Sequence, residues 1–191
     1  MSFEHAIVFT GHVTDDPDRA EPRFPEAMCD LAIMAISGAV LEIAAASNKA
    51  VLVSSLARGA DIIAVEVAKK IGLAVRLFLP QRIPVFKQHS PLKEWELKFN
   101  DILWEEWQQG PENVMIINGG TSGEDYAHAN QEAVWWAKAL APKITLLAFW
   151  DGKDNNFAGG TSHFIATARS DGIDVKIIDA ERLLSLHRSR T

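Results

Sequence analysis

Residues 50–79 read AVLVSSLARGADIIAVEVAKKIGLAVRLFL, and this stretch holds the repeating unit of the chain. Residues 50–53 are apolar without alternation, as expected of a strand covered by helices on both faces. A helical pattern over 60–71 follows, Gly72 gives a C-cap signal, and 74–79 begin the next apolar run. Runs of the same kind stand at 6–10, 113–117, 144–150 and 175–178, six in all. Helical patterns at 25–47, 92–108, 125–140 and 162–171, with a short one from Ala180, fill the intervals. Strand-helix alternation of this kind predicts one layered α/β domain with a parallel sheet, spanning residues 1–191. The longest loop is expected at 81–91, where two prolines fall.

Composition narrows the function. With 48% apolar and 23% charged residues, 191 residues suffice for one full core and disorder is disfavoured. Lys and Arg number 19 against 25 Asp and Glu, a net charge of −6, which disfavours an electrostatic nucleic-acid groove. The lone Cys29 cannot close an intrachain disulfide, and the start Met-Ser-Phe-Glu-His lacks the pattern of a signal peptide. A reducing, cytoplasmic location is expected. The apolar run 31–41 is bracketed by Asp30 and Glu42 and is short of the roughly 20 residues a membrane span needs. It reads as a buried helix, so no membrane is expected. On the 92–108 helix, Trp104 lies beside the apolar stripe formed by Leu92, Trp95, Phe99, Ile102 and Leu103. On the 125–140 helix, Trp135 points nearly opposite the stripe of Ala129, Ala133, Trp136, Ala137 and Leu140. These two tryptophans are candidate contacts of a homodimer.

In an open parallel sheet, ligands bind beyond the carboxyl ends of the strands. Small and hydroxyl residues accumulate at those junctions: Thr10-Gly11-His12, then Ser54 through Asp61, then Asn118 through Gly123, then Asp151 through Ser162. Glycines let backbone amides approach an anion, and the helix that follows adds orphan N–H groups. Gly159, Gly160 and Thr161 offer this before the 162–171 helix, and Ser54 and Ser55 offer it near Arg58, whose fork suits phosphate or carboxylate. Thr161 or Ser162 can equally serve as a plain helix cap, and Arg58 with Asp61 as a surface ion pair. Tyr126 and Asn130, four apart near a helix start, can face one pocket, with the phenol against a base. His12 and His163 stand where an imidazole can donate to a phosphate. The dinucleotide fingerprint G-x-G-x-x-G and the Walker sequence are both missing, and no metal-ligand spacing occurs. Neither a structural metal nor a resident cofactor is predicted. Gly119-Gly120-Thr121-Ser122 and Gly159-Gly160-Thr161-Ser162 are the same tetrapeptide, read as coincidence.

Thr10-Gly11-His12, Ser54-x-Leu56-Ala57-Arg58-Gly59-Ala60-Asp61, Leu79-Pro80 and Trp150-Asp151-Gly152 with Gly159-Gly160-Thr161 together resemble the SLOG superfamily. That group unites DNA-processing protein A, the Lonely Guy phosphoribohydrolases and nucleotide-sensing domains. The resemblance runs from Ala6 to Asp179. It implies a Rossmann-like, doubly wound, mainly parallel sheet of about six strands, with a nucleotide or ADP-ribose-like ligand at its carboxyl edge. The expected ligand contacts are Gly11, His12, Ser54, Arg58, Gly59, Asp61, Tyr126, Asn130, Asp151, Gly159, Gly160 and Thr161. Asp61 is expected either to order Arg58 or to accept a ligand hydroxyl. The Lonely Guy motif continues Gly-Thr-x-x-Glu, and Phe164 stands at that glutamate's position, so a binding or sensing module is the leading expectation. A phosphoribohydrolase, with Asp151 or Asp154 substituting, is the second.

Overall fold

The computed structural model describes residues 2–90, 92–154 and 156–189. Six strands form one parallel sheet: β1 (His5–Gly11), β2 (Ala50–Ser54), β3 (Ala74–Leu79), β4 (Val114–Ile116), β5 (Lys143–Trp150) and β6 (Asp174–Asp179). Their order is β4-β3-β2-β1-β5-β6, with every pairing parallel. The chain winds outward from β1 to β4, then returns to the other side of β1. The doubly wound, Rossmann-like arrangement implied by the resemblance is therefore present, and its switch point lies between β1 and β5.

Alternate strand residues feed two cores. Ile7, Phe9, Leu52, Leu77 and Phe149 face the layer containing α1 (Cys29–Ala44), α2 (Ala60–Lys70) and α4 (Glu96–Gln109). Ala6, Val8, Val51, Val53 and Ala148 face α5 (Gly123–Leu140) and α6 (Thr161–Ser170). This two-sided burial is why the strands read as continuous apolar runs rather than alternating ones. A final helix, α7 (Ala180–Arg188), starts on Asp179, whose side chain accepts from the Arg182 N–H.

Two segments differ most from the sequence reading. The 25–47 helix divides into a 3-10 turn at Glu26–Met28 and α1, which ends at Ala44. With its 3-10 turn, this segment, Glu26–Ala44, is long and apolar enough by length and composition to cross a membrane, but Ala32, Ile36, Val40 and Ile43 are in the core. The segment 81–91 is not one long loop: residues 83–89 form a helix, α3 (Ile83–His89), while Pro91 lies outside the described residues. Pro84 falls in the first turn, where its missing N–H costs nothing, and buried Phe86 stacks on Phe99 at 5.7 Å between centroids. Trp104 and Trp135 are both exposed, on helices of opposite layers, so they do not form one patch.

Candidate functional site

A cleft of about 220 Å³ opens at the carboxyl ends of the strands, beside the switch point. Its floor is Thr10 and Gly11 of β1 with Ser55, Ala57 and Asp61 after β2. Tyr126, Ala129 and Asn130 of α5 and the segment Gly159, Gly160 and Thr161 make one wall. Pro80 after β3, with Phe86, His89 and Ser90 of the α3 region, closes the other. Of this wall the sequence marks only Pro80, because the loop expected at 81–91 conceals the helix that brings Phe86 and His89 to the cleft. Among the described residues no Lys or Arg lines the cleft.

Close packing dictates the glycine at the end of β1. A Cβ on Gly11 would lie 2.6 Å from the Ala60 Cβ, so β1 and α2 approach this closely only without a side chain there. The segment before α6 is held by Asn130, whose Nδ2 donates to the Gly159 carbonyl at 2.9 Å. Helix α6 has Gly160 as its N-cap and no side-chain cap. Neither Thr161 nor Ser162 therefore takes the cap position: Thr161 lines the cleft, and the Ser162 hydroxyl donates to Asp154 Oδ1 at 2.7 Å. The twin tetrapeptide at 119–122 behaves differently: Ser122 caps α5 in a full capping box with Asp125, whose carboxyl is held down mainly by the Ser122 hydroxyl. One sequence serves two cap registers, one closed by the serine side chain and one led by the second glycine. At the rim the Tyr126 and Phe157 rings lie 5.9 Å apart, tilted, with Phe157 about two-fifths exposed at 43%.

Of the twelve residues expected to touch a ligand, seven line this cleft: Gly11, Asp61, Tyr126, Asn130, Gly159, Gly160 and Thr161. Five do not. Ser54 is wholly buried, its Oγ without a hydrogen-bond partner among the described residues, and Ser55 takes the lining position because successive strand residues face opposite ways. Gly59 packs away from the cleft, where a Cβ would meet the Thr14 N at 2.7 Å. Arg58 does not pair with Asp61. Its Nη2 donates to Asp16 at 2.6 Å, because Gly59 (φ +85°) turns the chain and removes the helical spacing that would join them. His12 and Asp151 directly follow β1 and β5 but do not line the cleft. Both Asp151 oxygens accept from the Arg23 fork, at 2.6 and 2.7 Å, and the Asp151 N–H donates to His12 Nε2 at 3.1 Å. An accepting Nε2 is a neutral imidazole, consistent with a His12 pKa lowered by burial and then by Arg23. His163 does not line the cleft, and Phe164 is buried in the core under α6, so no carboxylate stands at the motif's glutamate position.

Asp61 is the carboxylate of the cleft. It is 4% exposed, accepts from the Ser55 hydroxyl, and burial pushes it up to about 7 against the opposing Ser55, Ala57 and Gly11 donors. The folded state thus holds a proton that the unfolded chain releases near pH 4, so stability falls as pH rises from about 4 to about 7 and is level above. Asp61→Asn removes this titration. The variant's stability relative to wild type is expected to rise by more than about 1 kcal/mol between about pH 4.5 and about pH 8, in chemical denaturation. A difference independent of pH would show that Asp61 stays ionised in the fold.

No family model matches the sequence, and no curated protein is detectably similar to it. Among solved structures, DNA processing protein A from Streptococcus pneumoniae is similar, with a TM-score of 0.52 and 17% sequence identity. The match covers 96% of this chain and 56% of that one. At that identity the likeness is one of fold, so this chain shares the α/β fold of DNA processing protein A over nearly its whole length, spanning little more than half of the longer protein.

Proposed function

We propose that the protein binds a nucleoside phosphate or ADP-ribose-like ligand in the cleft beside the switch point, as a binding or sensing module. The observation that carries this reading is the glycine-capped start of α6, which places Gly159, Gly160 and Thr161 in the cleft wall at the carboxyl edge of the sheet. Uncapped helix N–H groups and the positive end of the helix dipole favour an anion. The cleft lacks Lys and Arg among its described lining residues, so its selectivity for phosphate rests on backbone amides and the Thr161 hydroxyl. A volume of about 220 Å³ is small for a whole nucleotide, which leaves the base on the Tyr126 and Phe157 rim. The SLOG resemblance and the DNA processing protein A fold support a nucleotide-derived ligand. The net charge of −6 weighs against DNA itself.

A second reading, a nucleotide phosphoribohydrolase, is favoured by one observation: Asp61, raised to about 7, is a buried carboxyl in the cleft with a pKa suited to proton transfer. Asp151 does not fill that role, being locked in the Arg23 fork.

One experiment tests both. AMP, GMP, CMP and ADP-ribose, added singly at millimolar concentration, are expected to raise the thermal midpoint for at least one ligand. The gain should follow RT ln(1 + [L]/Kd), about 2.7 kcal/mol at a hundredfold excess over Kd. Release of free base, seen by chromatography and lost in Asp61→Asn, establishes the hydrolase. Binding without release establishes the module, and no shift with any ligand rejects both.

A further inference from the structure

The loop joining β1 to α1, residues 12–25, carries a carboxylate that occupies two cations. Asp16 Oδ1 accepts from Arg58 Nη2 at 2.6 Å and from Lys93 Nζ at 2.7 Å. Arg58 is 7% exposed, whereas the Asp16 side chain is 52% exposed. A guanidinium presents five N–H donors in a fork that fits two oxygens of one anion. Arg23 uses its fork that way, one donor to each oxygen of Asp151. Arg58 does not: among the described residues it makes a single hydrogen bond, to one oxygen that Lys93 also takes. A buried fork met end-on, with a second cation on the same oxygen, is under-filled by a carboxylate. It suits a group with more oxygens and more charge.

In direct contact, one carboxylate faces two cations. Lys93 first and Arg58 next hold Asp16 down at about 2, so it carries one full negative charge against their two positive ones. Nearby Glu26 is raised by burial and then by its hydrogen bond with Glu94, so those two carboxyls engage each other. Lys98 and Arg58 both lower Glu26, which places Lys98 in the same positive field.

The loop is anchored at its base and exposed at its tip. Phe24 is wholly buried, and Asp15 Oδ2 accepts from the Arg23 and Phe24 N–H groups at 2.8 Å, which fixes the loop's base. Residues 16–21 are exposed and irregular, and Arg19 bonds within the loop, to the Glu21 carbonyl and Asp15. The tip is thus pinned to the body by Asp16. Val13 of this loop and Ala57, adjacent to Arg58, both line the cleft, so lifting the tip would open the cation pair at the cleft's border.

We propose that Arg58 and Lys93 form a second, latent oxyanion site, that Asp16 plugs it, and that a phosphate or pyrophosphate group binds there by displacing Asp16 and freeing residues 16–21. This goes beyond the cleft reading, since it requires neither base nor ribose.

The probe is inorganic pyrophosphate at constant ionic strength, with affinity read by calorimetry on the full chain. Asp16→Asn removes the plug and is expected to bind pyrophosphate at least about tenfold more tightly than wild type. Adding Arg58→Gln to that variant should cancel the gain. In wild type, pyrophosphate should speed tryptic cleavage after Arg19 several-fold. Equal affinity in wild type and Asp16→Asn, or a gain that survives Arg58→Gln, overturns the proposal. Should Asp16→Asn not fold, the wild-type cleavage decides alone: an unchanged rate at saturating pyrophosphate overturns it. Because no nucleotide is present, failure here leaves the nucleotide test of the cleft standing, and failure there leaves this one.

Discussion

Gly159→Ala is expected to destabilise the protein by about 3 kcal/mol or more, and to abolish the ligand binding proposed for the cleft, by two separable costs. Gly159 has φ +84°, a conformation that costs a residue with a Cβ roughly 1–2 kcal/mol. A Cβ there would also lie 2.4 Å from the Tyr126 Cβ and 2.6 Å from the Ala127 N, both fixed parts of α5. Helix α5 packs Ala129, Ala133 and Ala137 into the core, so it cannot retreat without opening the layer, and overpacking of that kind costs about 1–3 kcal/mol. Gly152 separates the terms. It has φ +79° but nothing within 4 Å of its would-be Cβ, so Gly152→Ala should cost only about 1 kcal/mol, the backbone term alone. Denaturant unfolding of both variants measures the difference. Equal losses would mean that the 159–161 segment does not press on α5 and that the cleft wall is elsewhere.

The reason Gly159 was legible in the sequence, and Arg58's partner was not, is one of range. A backbone that must pass close to a helix demands glycine at that residue, so the demand appears in the local string, as it does at Gly11. The strands were legible for a related reason: burial on both faces writes itself into every residue of a run, and the observed ends lie within one residue of the expected ones at β2 and β5. Asp16 lies 42 positions from Arg58, in an irregular loop, and Arg23 lies 128 from Asp151. No period or cap signal joins residues so far apart. Local spacing was even misleading. Arg58 and Asp61 are three positions apart, as on a helix face, but α2 begins only at Ala60, after the turn at Gly59. The prolines of 81–91 misled in the same way. Their effect depends on position, and Pro84 in a first turn favours the helix that a mid-helix proline would break. What composition marks well is where the backbone is constrained; which distant charge a loop delivers is set by the tertiary fold.

Arg23→Met is expected to cost about 3–5 kcal/mol, because it strands a buried carboxylate. The Asp151 side chain is wholly buried and Arg23 is 18% exposed, so solvent does little to screen the pair. Burial pushes the Asp151 carboxyl up, but the Arg23 fork, the Lys153 amide and the nearby His12 outweigh it and leave its pKa well below the usual range. The pair's contribution is therefore present above the unfolded Asp value, near pH 4, and is lost as pH falls through the depressed folded value. Arg23→Met should flatten that acid limb. It should also act on His12, whose pKa burial and then Arg23 hold down, and whose Nε2 is 3.1 Å from Asp151 Oδ1. Without the guanidinium, a protonated imidazole becomes the replacement cation, so His12 should titrate higher, by an amount an NMR titration reads directly. The sign of the pH dependence then reverses around neutrality. In wild type a folded His12 pKa below the unfolded value of about 6.5 lowers stability as pH falls; in the variant a raised one restores part of it. The deficit of Arg23→Met should therefore shrink between about pH 7.5 and about pH 5 in denaturant unfolding. A loss under about 1 kcal/mol with His12 unmoved would mean that the fork does not hold Asp151, and that the strap from the β1–α1 loop to the end of β5 is not what keeps this side of the sheet closed.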